Sequence, residues 1–223
     1  MSHRHDTQGV DTRERLLESA ARVFAEKGYR GATVAEICEQ AQANIAAINY
    51  HFGGKEKLYA ETWRTSFHQA LERHPGDGGV SADAPVETRL HGRLKALMTR
   101  MLDERNAAVR IMAMEMINPT GLLHEVVQDA VQPQREVMEG IVREIVGPGV
   151  PEDLVRASTM SVIGPCFHAL HHNLMRQRLG AGPSITTEMT IDLIDHFTRF
   201  SLGGLRAVRE YCERGTPAGG DET

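Results

Sequence analysis

The sequence is poor in the features that mark secreted, membrane-spanning or disulfide-bonded proteins. It has 3 cysteines among 223 residues and no C-x-x-C pair, which favours a reduced compartment over a disulfide framework. No apolar run approaches the ~18–20 residues that cross a bilayer. Residues 1–9, MSHRHDTQG, lack the apolar core of a secretory signal. We therefore expect a soluble, cytoplasmic protein with no membrane partner.

The chain also lacks the net positive charge of many proteins that bind nucleic acid. Its formal net charge is −5; residues 1–75 carry ten basic and ten acidic side chains, and residues 76–223 carry fifteen and twenty. Nucleic-acid binding therefore depends on where individual groups point, not on bulk charge. The absence of a phosphate-binding loop, a Gly-x-Ser-x-Gly and a metal motif argues against an enzyme, and we expect no cofactor.

Helical periodicity runs through almost the whole chain, and no segment alternates like a strand. The first helix has a capping-box pair, Asp11 and Glu14, and a residue suited to end it, Gly28. Two short helices follow with a tight turn between them, which is the helix-turn-helix pattern. The predicted helices are Thr12–Lys27, Thr33–Gln40, Asn44–Tyr50, Lys55–His74, Leu90–Leu102, Val109–Ile117, Leu122–Val146, Glu152–Leu179 and Ile185–Cys212.

These helices predict an all-α protein with a three-helix head and a larger helical body. We assign residues 11–54 to the head, the helix-turn-helix domain, and residues 55–214 to the body. Residues 1–10 and 215–223 are expected to be disordered ends. Pro133 and Pro165 lie inside two of the long body helices and are expected to kink or split them.

The stretch NIAAINYHFGGKEK, residues 44–57, carries the strongest functional signal. Its small first turn, residues 45–47, can enter a major groove and touch thymine methyl groups. Ile48 and Phe52 have the spacing of buried anchors. After the Gly53-Gly54 pair, Lys55 adds a positive charge to the free backbone amides at a helix start, a combination that suits an anion.

Residues 12–58 resemble the DNA-binding domain of the TetR family of transcriptional repressors. The resemblance rests on AxxxFAEKGY, on T-V-x-x-I in the second helix and on YHFGGKEKL. It implies an all-helical homodimer that occupies a pseudo-palindromic site in double-stranded DNA until a small-molecule effector binds the body. INYHFGGKE and Met116–Thr120 are similar to the CecR-like branch, whose members are associated with drug-sensitivity and efflux genes.

Two positions depart from the family pattern. Gln42 stands in the turn where the family usually has glycine, which costs up to ~1 kcal/mol if the backbone there is left-handed. Asn49 replaces an aromatic residue, which affects the expected operator sequence and leaves the expectation of DNA binding unchanged.

The resemblance implies two kinds of DNA contact. The groove-facing residues are Asn44, Ile45, Ala46, Ala47 and Asn49. The phosphate-contacting residues are Thr33, Tyr50, His51 and Lys55. For Tyr50 and His51 the alternative is packing between the head and the body.

A methionine cluster lies within residues 98–116 and has two interpretations. Methionine fills irregular cores, and it also lines adaptable apolar pockets. With the family resemblance we predict a pocket for a small apolar effector, and a DNA-binding regulator without any effector is the alternative. The predicted lining is Trp63, Phe67, Met98, Met101, Met112, Met116, Phe167 and His168.

By the same resemblance, the last two long helices are expected to pair with their copies in a homodimer. His168, His171 and His172 are spaced so that neighbouring imidazoles could share a metal ion. Three adjacent positions span too wide an arc of the helix to point at one ion, so we predict no metal. A metal-binding helical protein is the remaining alternative.

Overall fold

The computed structural model describes residues 3–180 and 185–214, which form nine helices and no strand. The all-α prediction is confirmed. Within that part of the chain no helix is both long and apolar enough to cross a bilayer. The helices are α1 (His3–Gly31), α2 (Val34–Ala41), α3 (Ile45–Phe52), α4 (Lys55–Arg73), α5 (Val86–Leu102), α6 (Ala107–Ile117), α7 (His124–Val146), α8 (Glu152–Leu179) and α9 (Thr187–Glu213).

The two short helices of the head begin at the predicted starts, Thr33 and Asn44, whose side chains cap them. The Thr33 hydroxyl oxygen accepts a hydrogen bond from the Glu36 amide at 3.1 Å, and α2 follows it. The Asn44 side-chain oxygen accepts one from the Ala47 amide at 2.9 Å, and α3 follows it. Each cap satisfies an amide that the helix itself leaves unpaired, so one side chain sets where each helix starts.

α1 differs from the prediction at both ends. The Asp11 carboxylate pairs with Arg15 at 2.7 Å, one turn further along, instead of capping a helix, and α1 begins at His3. Gly28 breaks the helical geometry as predicted, with φ 66° and ψ 179°, and one more turn follows it. That conformation is essentially restricted to glycine. The predicted disordered tail, residues 215–223, lies outside the described residues.

The described chain divides into two compact units. The first unit contains residues up to 73 together with residues 104–132, and the second contains residues 74–103 and those from 133 onward. α7 contributes to both units, and Pro133, which lies at the boundary, does not split this helix. The boundary predicted between residues 54 and 55 concerns function and stays a prediction.

Aromatic packing joins the helices of the first unit. The rings of Phe24 and Tyr59 meet edge to face with centroids 4.7 Å apart, and Tyr29 lies 5.1 Å from Tyr59. The Trp63 indole N–H donates to the Ala108 carbonyl at 3.2 Å, which joins α4 to α6. The helical periodicity of α1 and α2 predicts eight inward-pointing side chains, of which Val34 is half-buried and the others are buried: Leu16, Leu17, Ala20, Val23, Phe24, Ile37 and Cys38.

A single carboxylate organises the turn between α6 and α7. Glu115 accepts hydrogen bonds from the Tyr59 hydroxyl at 2.8 Å and from both the hydroxyl and the amide of Thr120, at 2.8 and 3.0 Å. Burial and this carboxylate raise the pKa of Tyr59 far above its usual range, so the hydroxyl stays a donor. Thr120 belongs to the Met116–Thr120 motif, which therefore has a structural role in the first unit.

The second unit has its own core, made by α5, the later part of α7, α8 and α9. Leu90, Leu94, Met98 and Cys166 are fully buried in it. Burial raises the pKa of the Cys166 thiol to about 12, so this cysteine is a neutral packing group. Pro165 lies inside α8 without splitting it.

The loop between α4 and α5 lies tightly against α5. Gly78 has a φ of 66°, and a Cβ added to it would collide with the carbonyl oxygen of Gly92. A Cβ at Gly92 would in turn lie 2.6 Å from a methyl group of Val80. Two glycines therefore allow a close contact between backbones that no larger residue permits.

Replacing Gln42 with glycine is expected to stabilise the protein by about 0.5–1 kcal/mol. Gln42 ends α2 with φ 50° and ψ 46°, and among the described residues it is the one non-glycine residue with a positive φ. Glycine removes the strain of this left-handed backbone. Denaturant unfolding of Gln42→Gly measures the gain. Gln40→Gly, on the same helix with ordinary helical geometry, should lose about 0.5–1 kcal/mol instead; equal effects at both positions would contradict the argument.

Candidate nucleic-acid interface

α3 presents a small and uncharged first turn at the surface of the first unit. Ile45 and Ala46 are exposed, and Ala47 is half-buried beneath them. Asn49 is exposed one turn later, and 85% of the Tyr50 side chain is accessible. α3 contains no acidic residue. This face can therefore approach a phosphate backbone without meeting a like charge.

The opposite face of α3 fixes its orientation. Ile48 and Phe52 are buried in the core of the first unit, as predicted. The Arg13 guanidinium lies over the Phe52 ring, 5.3 Å from its centroid. Because these contacts hold the inner face, the exposed residues of α3 are held in fixed positions on the surface of the first unit.

Thr33 places a hydroxyl at the start of α2. The side chain is exposed, and its oxygen already accepts the Glu36 amide. A hydroxyl that accepts one hydrogen bond still has its proton to donate, and a phosphate oxygen can take it. The start of the helix also favours a negative partner because of the helix dipole.

Lys55 opens α4 immediately after two glycines with positive φ, Gly53 and Gly54. Its ammonium lies 4.3 Å from the centroid of the Tyr29 ring, a cation–π contact. Burial lowers the pKa of Lys55 from its usual value, because the side chain is partly withdrawn from water. The contact with Tyr29 thus holds the charge of the first residue of α4 in one place, and the anion site at the start of this helix stays a prediction.

Three basic residues that are not among the predicted DNA contacts lie next to His51. A concavity of about 380 Å³ is lined by His51, Arg13, Lys57 and Arg64, with Glu61 between the arginines. Glu61 pairs with Arg13 at 3.2 Å and with Arg64 at 2.7 Å. For two of the three, the sequence carries a signal: Lys57, Glu61 and Arg64 are spaced so that they lie on one face of α4.

The structure does not bring the eight predicted effector-pocket residues together within either unit. Trp63 and Phe67 stack at 5.2 Å in the first unit, where Met112 also packs, whereas Met98 and Met101 belong to the core of the second. Three of the eight are exposed in the described chain and line no core: Met116, Phe167 and His168. Phe167 and His168 are exposed because the neighbouring Cys166 takes the buried face of α8.

The histidine cluster lies on the exposed side of α8. His168, His171 and His172 are all exposed, and His196 on α9 is exposed as well, with its ring stacked against Phe200 at 6.2 Å. Among residues 3–180 and 185–214, no three His, Cys, Asp or Glu side chains are grouped so that they could hold a metal ion.

Two family models match the chain. Residues 86–205 match the C-terminal domain of the HTH-type transcriptional dual regulator CecR, and residues 16–62 match the model for bacterial regulatory proteins of the tetR family. The first match alone covers more than half of the 223 residues. The chain belongs to the TetR family of bacterial regulatory proteins, with a C-terminal domain of the CecR type.

Individual relatives of this TetR-family chain match only part of it. The HTH-type transcriptional repressor AcnR of Corynebacterium efficiens is 50% identical over 50 residues, 22% of this chain and 27% of AcnR. The regulator UidR of Escherichia coli K12 is 30% identical over 115 residues, 51% of this chain and 56% of UidR. The matches thus span between about a quarter and about half of these relatives' length.

Solved structures extend the similarity of fold to the body of this TetR-family chain. The transcriptional regulator FadR from Bacillus subtilis, solved in complex with stearoyl-CoA, superposes with a TM-score of 0.66 at 17% identity. The superposition covers 86% of this chain and 98% of FadR. FadR from Bacillus halodurans gives the same TM-score, 0.66, at 16% identity, over 87% of this chain and 96% of that one.

Proposed function

We propose that this protein is a DNA-binding transcriptional regulator that represses by occupying an operator and releases it when a small molecule binds. Residues 11–54 form the DNA-binding part, and residues 55–214 bind the effector and the second subunit. The observation that carries this proposal is α3 itself: its inner face is anchored by Ile48 and Phe52, and its outer face is exposed, small and free of acidic residues.

The exposed residues of α3 divide into two proposed roles. The small first turn lies in the major groove, where Ile45 and Ala46 meet base edges and Asn44, Ala47 and Asn49 flank them. The phosphate contacts come from Thr33, Tyr50, His51 and Lys55. Tyr50 supports this assignment against a packing role, because 85% of its side chain is exposed in the chain itself.

The partner subunit binds α8 and α9 in this proposal. α8 is apolar on more than one side: Val162 and Cys166 are buried, yet Met160 and Phe167 are exposed. Large apolar side chains on a second side of a helix are normally covered by another element. On α9, Phe200 is 73% exposed beside Gly203 and Gly204, whose lack of side chains lets another helix approach closely. A second copy of this chain covers this face in a four-helix interface.

The effector in this proposal is a small, largely apolar molecule, and the controlled genes are efflux or drug-sensitivity genes. The B. subtilis FadR complex with stearoyl-CoA supports ligand binding in a similar helical body. The match to the CecR-type C-terminal domain supports the gene class through the association of that branch. A regulator without an effector is the second candidate, and a body that binds none of a broad ligand panel would favour it.

A footprint of the purified protein on DNA upstream of its own gene tests the proposal. We expect protection of a pseudo-palindrome by the wild type and its loss in Tyr50→Ala and in Lys55→Ala. Tyr50 is so exposed that its replacement leaves the fold intact, which circular dichroism verifies. Lys95→Ala, an exposed lysine on α5, is the charge-matched control and should protect like the wild type.

Two results would contradict DNA binding by α3. The first is an unchanged footprint in the Tyr50→Ala variant, because the face that carries Tyr50 would then not contact DNA. The second is the absence of any specific protection, followed by failure to enrich a sequence from random DNA. Either result removes the assignment of operator contacts to this helix.

A further inference from the structure

A cavity of about 290 Å³ lies entirely within the second unit, and none of the predicted effector residues lines it. The α4–α5 loop forms one wall with Asp77 and Val80, and α5 contributes Arg93. α7 forms the opposite wall with Gln134 and Val137. The close backbone contact of Gly78 with Gly92 holds the loop against α5, so this wall of the cavity has a fixed position in the second unit.

Arg93 is the group in this cavity with hydrogen-bond donors to spare. Its Nη1 donates to the Gln134 side-chain oxygen at 3.1 Å, and its other nitrogens have no acceptor within the part of the chain that the structure describes. Arg89 also lines the cavity, but it is engaged: its Nε donates to the Ala84 carbonyl at 3.0 Å and its Nη2 pairs with Glu144 at 2.5 Å.

The electrostatic surroundings favour one negative charge, not two. Burial lowers the pKa of the Arg93 guanidinium, and the nearby Asp77 carboxylate opposes that shift. A half-buried cation of this kind gains from an anionic partner that hydrogen-bonds to it. The Asp77 carboxylate repels any anion at this site, and it repels a phosphate dianion more strongly than a monocarboxylate.

The remaining lining suits an apolar body. Val80, Val137 and Ile141 present aliphatic side chains beside the guanidinium. Val137 is 50% exposed although it is apolar, so a ligand that covered it would gain hydrophobic stabilisation. A charged head group at one end and hydrocarbon at the other match this division of the cavity.

We propose that this cavity binds a small amphipathic monocarboxylate, with its carboxylate on Arg93 and its hydrocarbon on Val80 and Val137, and that it is the effector site. The effector role rests on the proposed function; the binding itself does not. Chain continuity provides the coupling. Gln134 and Val137 lie within about the first turn of the part of α7 that belongs to the second unit, and the first residues of this helix belong to the first unit.

Calorimetric titration of the full-length protein with octanoate, and with 1-octanol as the neutral match, tests the site. We expect octanoate to bind and Arg93→Gln to weaken it by about tenfold to a hundredfold, the range for a lost charge-assisted hydrogen bond. Arg156→Gln, an exposed arginine at the start of α8, is the matched control and should bind octanoate like the wild type. Val137→Asp, at a half-exposed position, should abolish binding by charge repulsion without affecting the fold.

The possible outcomes distinguish a failure of the proposed binding site from a failure of its proposed effector role. Absence of octanoate binding, equal binding of 1-octanol, or binding that is unchanged in both Arg93→Gln and Val137→Asp would overturn the site. Arg93-dependent binding that leaves the affinity for the footprinted operator unchanged would overturn the effector role. The ligand-free protein is tested on the operator in the same series, so a failure of DNA binding is recognised independently.

Discussion

Phe200→Glu is expected to convert the proposed dimer into a monomer and to lower operator affinity by about 10²–10⁴-fold, the contribution of a linked second binding event. Phe200 is 73% exposed on α9, and its neighbours there, Ser201 and Gly204, line a mostly apolar groove against α8. A carboxylate placed in this groove would lose its hydration when the second copy packs against it. Among the described residues, those of α8 that line the groove, such as Ala157 and Ser161, carry no positive charge that could compensate this cost.

Sedimentation equilibrium gives the mass of the Phe200→Glu variant, and fluorescence anisotropy gives its affinity for the operator. Met116→Glu is the control, because Met116 is equally apolar and 78% exposed but lies on α6 in the first unit. It should remain a dimer and bind DNA like the wild type. A dimeric Phe200→Glu variant with unchanged operator affinity would show that the subunits meet elsewhere.

The helix boundaries of the head could be predicted because single residues set them. Thr33 and Asn44 cap α2 and α3 through their own side chains, and Gly28 takes a backbone conformation that other residues avoid. Such signals act over three or four residues, so they can be recognised in the amino-acid sequence. Asp11 misled the prediction for the same reason: its carboxylate had a second local partner, Arg15, and formed an ion pair within the helix.

The second unit could be predicted less well because its features depend on residues far apart in the chain. The contact of Gly78 with Gly92 and the hydrogen bond of Arg93 to Gln134 join segments that no local pattern relates. Helical periodicity predicts that α8 is a helix, but it does not predict which of its apolar residues are buried. Phe167 and Cys166 are adjacent in the sequence, yet one is exposed and the other fully buried.

Dependence on residues far apart in the chain also explains why the predicted pocket residues Met98, Met101, Met112 and Met116 do not lie together within either unit. Met98 packs in the core of the second unit, whereas Met112 lies against the core of the first and Met116 is exposed. Closeness in the sequence grouped them, but the chain divides between 103 and 104, in the middle of the cluster. A residue type that tolerates any apolar surrounding carries little information about which surrounding it has.

Ala46→Glu is expected to abolish specific DNA binding while slightly stabilising the fold, and these opposite signs make it the sharpest test of α3. Ala46 is exposed in the first turn of α3, a helix with no acidic residue there. A carboxylate at this position interacts favourably with the helix dipole and stabilises the helix by about 0.3–1 kcal/mol. Facing DNA, the same charge meets phosphates and base edges, where like charges cost several kcal/mol, so operator affinity should fall by at least ~100-fold.

Anisotropy with the footprinted operator and denaturant unfolding measure the two effects of Ala46→Glu in parallel. Gln128→Glu adds the same charge at an exposed position of α7 in the first unit, so any general effect of the lower net charge appears in both variants. If Ala46→Glu bound the operator no more weakly than Gln128→Glu, α3 could not be the helix in the groove. Loss of DNA binding together with loss of stability would instead indicate a packing role for this face. If α3 contacts DNA as proposed, Ala46→Glu gives a protein that is at least as stable as the wild type and no longer binds the operator specifically. Neither a packing role for this face nor the absence of DNA contact by α3 predicts that combination.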